Sequence, residues 1–258
     1  MFLQPIAQAQ ANFSAIQLIA TDMDGTLTQQ GKFSPALLQC FEQLVDRAIP
    51  VVIVTGRSAG WVSAISHYLP IAGAIAENGG LFYQGDRLEW LVPISDLQQH
   101  RQALANTFAS LKSQFPHLQE SIDNRFRLTD WTFDVRGLSR SQLQALTHSC
   151  EAQGWTMVYS TVQCHIKLPE QSKLQGLQQV LRMAFPTIDP QQVVTVGDSP
   201  NDESLFQMPL SVGVANVTHY VDQLSQLPQF VTQAEEGTGF CELVDLILMA
   251  EAKSTKSA

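Results

Sequence analysis

The segment that most constrains the fold is 18–28, LIATDMDGTLT. A short apolar run of strand character ends abruptly in Asp22 and Asp24, with Gly25 directly behind them. Alternation along a strand puts residues two apart on the same side, so both carboxylates can face one cleft where the chain leaves a sheet. Neighbouring carboxylates repel each other. They are tolerated where a cation sits between them or where one stays protonated to act as an acid. For DMDG taken alone, a solvated Asp-Gly turn after an ordinary strand is the plainer alternative.

The remainder of the chain repeats the strand-then-helix rhythm. Ser34 and Pro35 make a helix start, and Leu37, Leu38, Phe41 and Leu44 keep helical spacing behind them. The β-branched run 51–54 reads as a strand buried on both faces, as in a parallel sheet, and it ends in Thr55, Gly56 and Arg57. A helix over 60–68 and a short strand over 73–76 follow, then the turn Glu77, Asn78, Gly79, Gly80.

From residue 82 the pattern changes to a hairpin around 84–86, a helix over 97–111, short strands over 126–128 and 131–135, a helix over 141–150 and a hairpin over 156–167. The strand and helix rhythm resumes with a helix over 171–185, a strand over 193–196 ending in Gly197 and Asp198, a helix over 202–207, a strand over 211–215 and a helix over 239–250. The class is therefore α/β: a Rossmann-like parallel-sheet core, residues 1–81 and 166–258, with an α+β cap domain inserted at 82–165.

At 258 residues the chain has ample length for such a core. A net charge of −9 argues against nucleic acid or an anionic membrane as partner, while leaving small anionic substrates open. Cys40, Cys150, Cys164 and Cys241 are scattered without C-x-x-C pairing and read as reduced thiols, which suits the cytoplasm. The opening stretch 1–14 contains AQA but lacks a basic start and a sustained apolar run, and it reads as a loose leader. No apolar run approaches the ~18 residues of a membrane span. Oligomeric state leaves no mark on the sequence.

The chemically pointed residues fall at the ends of successive strands: Asp22 and Asp24, Thr55, then Asp198 and Asp202. Ligands of open α/β sheets bind outside the carboxyl ends of the strands, so these positions converge on one crevice. DMDGT at 22–26, VVIVTGR at 51–57, a lysine at 173 and VGDSPND at 196–202 resemble the four ordered motifs of the haloacid dehalogenase superfamily of phosphohydrolases. The large insert between the second and third motifs is similar to that of the sucrose-phosphate, mannosyl-phosphoglycerate and trehalose-phosphate phosphatases.

The resemblance implies roles. Asp22 would be the nucleophile that forms an aspartyl-phosphate, and Asp24 would protonate the leaving alcohol and then deprotonate water. Mg2+ would be held by Asp22, the main-chain carbonyl of Asp24 and Asp198, with Asp202 close by. Thr55 and Gly56 would bind the phosphoryl group, and Asn201 would touch phosphate or steady the lysine. Lys173, in QSKLQGL, is preferred to Lys167 for the cationic part, although Leu174 stands where the family has glycine; Lys167 is then a rim residue.

Arg57, Asn78 and Gly79 are further candidates near the substrate, with a plain turn as the alternative for the latter two. In the insert, Arg125, Arg127, Trp131, Asp134 and His165 are the candidates for substrate recognition, against a plainer reading as surface and packing residues; His165, at the domain junction, reads as a hinge or packing residue. The implied activity is hydrolysis of a small phosphorylated metabolite, a sugar or polyol phosphate. Two rivals stand beside it. A phosphomutase would need donors for a second phosphate, which Arg125 and Arg127 offer. A non-catalytic binding module would be expected to have lost part of the motif set, which is complete here. Asp22→Asn is expected to abolish hydrolysis of an aryl phosphate while leaving the circular dichroism spectrum unchanged; wild-type turnover by that variant would rule out the nucleophile.

Overall fold

The computed structural model describes residues 3–160 and 162–254. A two-residue strand β1 (Gln4–Pro5) and a 3-10 helix (Ile6–Ala15) precede β2 (Leu18–Thr21), which is buried along its length. Ser34 caps α1 (Pro35–Asp46), accepting from the Leu37 amide, with proline at the first turn. Strand β3 (Val51–Val54), α2 (Ala59–Tyr68) and β4 (Gly73–Ala76) continue the alternation, and β5 (Leu81–Gln84) and β6 (Arg87–Trp90) form a hairpin.

The insert contains α3 (Leu97–Gln114), β7 (Trp131–Asp134), α4 (Arg140–Glu151), β8 (Thr156–Tyr159) and β9 (Gln163–Lys167). The chain returns through α5 (Lys173–Ala184), β10 (Val193–Gly197), β11 (Leu210–Gly213), β12 (Phe230–Val231) and α6 (Glu236–Ser254).

Strands assemble into a nine-stranded sheet ordered β1-β12-β11-β10-β2-β3-β4-β5-β6, parallel from β1 to β4 and antiparallel in the last two pairings. Both faces are covered, which is why the central strands are buried along their length. Ile19 and Ile53 pack with α1, α2 and α6, while Leu18, Ala20, Val52 and Val54 pack with Leu177, Val180 and Leu181 of α5. The smaller sheet is antiparallel, ordered β7-β9-β8, and has a core of its own built from Leu104, Phe108, Phe133, Leu146, Cys164 and Ile166.

The structure departs from the sequence reading in four places. Residues 4–15 are not a loose leader; residues 1 and 2 of that stretch lie outside the described residues. Gln4–Pro5 pairs with β12, and Ile6, Ala9 and Phe13 are fully buried, spaced so that one helical face meets the core shared with α6. The hairpin β5–β6, read as the start of the insert at 82, pairs with β4 and belongs to the large sheet. Residues 126–128 are not a strand: a 3-10 turn covers Ile122–Phe126, and the amides of Leu128 and Thr129 are taken by the Glu77 carboxylate instead of a strand partner. In place of a helix over 202–207 there are two 3-10 turns, Pro200–Asp202 and Leu205–Gln207, with Pro209 stopping the second.

Phe13 meets Phe230 edge to face at 6.5 Å between ring centroids. Phe13→Ala is expected to lower the unfolding free energy by about 3–5 kcal/mol, as for other fully buried aromatics, read from the urea midpoint; a loss below ~1 kcal/mol would return these residues to the surface.

Candidate active site

Parallel register brings the strand ends level. Thr21 lies opposite Val196 on one side and Ile53 on the other, and the Asp22 amide extends the ladder by donating to Val196 O at 2.9 Å. The chain then turns tightly over Met23, whose carbonyl accepts from the amides of Leu27 and Thr28. Gly25 has φ +83°, and a Cβ there would lie 2.6 Å from Asp198 Oδ2. Glycine is needed at this position for the Asp198 carboxylate to come so near the first motif.

Carboxylate oxygens of Asp22, Asp198 and Asp202 lie within 4.8 Å of one another, all buried. Lys173 Nζ donates to Asp22 Oδ1 and to Asp202 Oδ1, each at 2.5 Å. One ammonium does not balance three carboxylates. Burial, then repulsion from Asp202, pushes Asp22 up to about 7 against the pull of Lys173. Asp198 is raised too, by burial and by Asp202 and Asp22. Burial pulls Lys173 down, but Asp202 and Asp22 outweigh it, and its pKa is raised. Buried hard oxygen donors carrying excess negative charge are the chemistry of a divalent cation site.

Other bonds fix each member. Asp202 Oδ2 accepts from the amides of Asp198 and Ser199, and Asp198 accepts from Thr26 Oγ1 and from Asn216 Nδ2 at 2.9 Å. Lys173 opens α5 directly behind its cap, Ser172. Gly79, at φ +103°, lets that helix start come close, because a Cβ would collide with the Ser172 carbonyl oxygen. Lys167, read as a rim residue, is instead buried with Nζ donating to Gln171 O, and burial pulls its pKa down to about 8.

Asp24 stands apart from the cluster, held by the fork of Arg57: Nε to Oδ2 at 2.8 Å and Nη2 to Oδ1 at 2.5 Å. Arg57 is thus already engaged by a carboxylate. Thr55 Oγ1 accepts from the Arg57 amide, and the Gly56 carbonyl accepts from Arg127 Nη1 at 2.9 Å. Asn201 is tied to Ser199 Oγ and to Asn78 Oδ1, not to Lys173, and Asn78 Nδ2 is a buried donor with no partner among the described residues. Asn78 follows Glu77 with both at positive φ, +55° and +53°, a strained pair where the chain turns behind the site.

A cavity of ≈ 20 Å³ is lined by Asp22, Asp24, Thr55, Gly56, Arg57, Ser199 and Asn201 from below and by Ser160, Val162, Gln163 and His165 of the insert from above. An outer cleft of ≈ 670 Å³ shares Arg57, Val162 and Gln163 with it and is also lined by Asp134 and Arg136.

Among the insert candidates only His165 lines the inner cavity. Arg127 is buried and spent on Gly56, Asp123, Asp130 and Gln163. Arg125 is exposed and stacks on Phe126 at 4.8 Å. The pair therefore does not form a cationic site for a second phosphate, and the mutase reading loses its donors. Trp131 points into the insert's own core beneath Arg101, and Asp134 pairs with Arg136.

Sequence reasoning missed Glu77, Asp130 and Asn216. Glu77 is fully buried and accepts from the amides of Ala59, Leu128, Thr129 and Asp130 and from Thr129 Oγ1, stitching the core to the insert. Asn216 follows β11, so a search for polar residues beyond every parallel strand would have found it. Nothing local marks Glu77, whose partners are distant in sequence; Asp130 pairs with Arg127 three residues away and with His165 far along the chain.

A buried acidic cluster at the carboxyl edge of a parallel sheet, roofed by an inserted α+β unit, defines a class of hydrolase. The model of the haloacid dehalogenase-like hydrolase family matches residues 19–95 and 135–240, and the chain belongs to that family. It is 28% identical over 239 residues to the phosphoglycolate phosphatase of Methanothrix thermoacetophila, covering 89% of this chain and 96% of that one.

Its fold is similar to that of the crystal structure of protein 0175 of Thermoplasma acidophilum, with a TM-score of 0.74, 20% identity and coverage of 90% and 98%. It is also similar to the sucrose-phosphatase of Synechocystis in complex with sucrose and phosphate, with a TM-score of 0.66, 18% identity and the same coverage. No helix among the described residues is long and apolar enough to cross a membrane.

Removing the Glu77 carboxylate strands several buried amides at once. Glu77→Ala is expected to lower stability by about 3 kcal/mol or more, read from chemical denaturation; a change below ~1 kcal/mol would show that the core and the insert are not joined there.

Proposed function

We propose that this hydrolase is a phosphomonoesterase that works through an aspartyl-phosphate on a small phosphorylated metabolite, a sugar or polyol phosphate. The observation that carries this reading is the buried cluster of Asp22, Asp198, Asp202 and Lys173, of which Asp22 lines the same small cavity as Asp24, Thr55 and Gly56. Asp22 Oδ1 is held by Lys173, and its other oxygen makes no protein hydrogen bond among the described residues, leaving it to attack phosphorus. As that bond forms, the bond from phosphorus to the alcohol oxygen breaks, and Asp24 gives the departing oxygen its proton. Asp24 then takes a proton from water, which attacks phosphorus, releases inorganic phosphate and restores the Asp22 carboxylate. Lys173 and Thr55 offset charge on the phosphoryl oxygens, with Gly56 and Asn201 beside them. Arg57 fixes where the Asp24 carboxyl sits.

Asp22 and Asp198, with the main-chain carbonyl of Asp24, would hold Mg2+ beside Asp202. The ion supplies positive charge that relieves repulsion between an anionic nucleophile and an anionic phosphoryl group. The insert, from α3 to β9, is the cap that chooses the leaving group. Free cysteines at 40, 150, 164 and 241 support a reducing compartment, the cytoplasm. A second reading of the substrate is phosphoglycolate, favoured by the names of the sequence relatives and by the small size of the inner cavity.

Phosphate release from p-nitrophenyl phosphate is expected to fall by at least about 100-fold on treatment with EDTA and to return with Mg2+. Full activity in the chelated protein would remove the metal from this account.

A further inference from the structure

The central cap strand β9 alternates strictly. Cys164 and Ile166 enter the cap's own core, so Gln163, His165 and Lys167 face the large sheet. His165 is 2% exposed, and a Cβ built on Gly56 would lie 2.9 Å from its Cε1 and 3.1 Å from its Nε2. The imidazole edge therefore lies directly over the phosphate-binding turn and shares the inner cavity with Asp24.

The state of the ring follows from its other nitrogen. Nδ1 is 2.8 Å from Asp130 Oδ2, and Asp130, fully buried, is also bound by Arg127 Nη1 at 2.9 Å. Burial raises Asp130, but Arg127 and His165 outweigh it and its pKa is lowered, so it is an acceptor only. Nδ1 must then carry the proton. Burial pulls the His165 pKa below its usual value, outweighing the opposing pull of Asp130, with Arg127 and Lys173 adding to the lowering. The ring is neutral, and Nε2 offers a lone pair to the cavity.

Other cap side chains there are already engaged. Gln163 donates to Ser121 and Asp123 and accepts from Arg127, and Ser160 Oγ accepts from the amides of Val162 and Gln163. The nearby cations are committed as well, Arg57 to Asp24, Arg127 to Asp130 and Asp123, and Lys173 to Asp22 and Asp202.

We propose that His165 binds the leaving group and selects it: Nε2, oriented by Asp130, accepts a hydrogen bond from a hydroxyl carried close to the ester oxygen, so the site prefers a polyol or sugar phosphate to a phosphorylated carboxylate. This rests on the phosphatase reading above and decides between its two substrate classes. A carboxylate in the same place would meet a lone pair with no free cation beside it among the described residues.

The test uses three small esters of matched size, 2-hydroxyethyl phosphate, ethyl phosphate and phosphoglycolate, with p-nitrophenyl phosphate as a reference that asks nothing of His165. Wild-type kcat/KM is expected to be about tenfold higher for 2-hydroxyethyl phosphate than for ethyl phosphate, the worth of one buried hydrogen bond, and higher than for phosphoglycolate. His165→Phe keeps a ring and removes the acceptor; it should bring the hydroxyethyl-to-ethyl ratio close to one. His165→Gln restores an acceptor and should restore the preference.

A wild-type preference for phosphoglycolate, or equal use of the hydroxyethyl and ethyl esters by a wild type active on p-nitrophenyl phosphate, overturns the assignment without any variant having to fold. An unchanged preference in His165→Phe overturns it as well. A well-folded wild type that releases no phosphate from p-nitrophenyl phosphate with Mg2+ brings down the phosphatase reading itself, and this inference with it.

Discussion

Three buried carboxylates share one ammonium group, and the architecture around them follows from keeping that arrangement intact. Charge taken out of water is costly unless it is paired and hydrogen-bonded. The fold meets this demand with main-chain amides from β10's end, with Thr26 and Asn216 on Asp198, and with Lys173 reaching both Asp22 and Asp202. The lysine reaches them because α5 begins against the turn that follows β4, where Gly79 and Gly176 let two backbones meet. A larger residue at either position would move the helix start and its lysine with it.

That same turn also holds the cap. Glu77 receives consecutive amides from 128–130, Gln171 Nε2 donates to Glu77 O at 2.5 Å, and Arg127 reaches the carbonyl of Gly56. The strained pair Glu77 and Asn78 thus lies between the acidic cluster and the insert, with Asn78 bound to Asn201 on one side and Glu77 bound to the insert on the other. Strain of this kind persists only where surrounding contacts over-determine it. Here those contacts come from both parts of the chain.

Much of the fold is legible from residue order because its signals are local. Fully apolar β-branched runs announce strands covered on both faces, and a capping serine followed by proline announces α1. The parts that misled are those whose partners lie far along the chain. Residues 126–128 alternate like a strand, yet their neighbours 128–130 spend their amides on a carboxylate some fifty positions away. The first fifteen residues look unstructured until α6 supplies the apolar face that Ile6, Ala9 and Phe13 bury against.

The sequence by itself determined the acidic pair, the threonine and the second acidic pair and placed them at the ends of parallel strands, because each motif is a contiguous stretch and parallel strands share one carboxyl edge, and it determined the lysine at the start of the helix after the insert. Tertiary structure alone decided what those groups are bound to: that Arg57 holds Asp24, that Arg127 is spent on Gly56 and on Asp123, Asp130 and Gln163 of the insert, that Lys167 is buried, and that His165 turns a single nitrogen toward the cavity. Hydrogen bonds and charge compensation depend on distance in space, and residues 22, 57, 77, 130, 165 and 173 come together only when both sheets have formed.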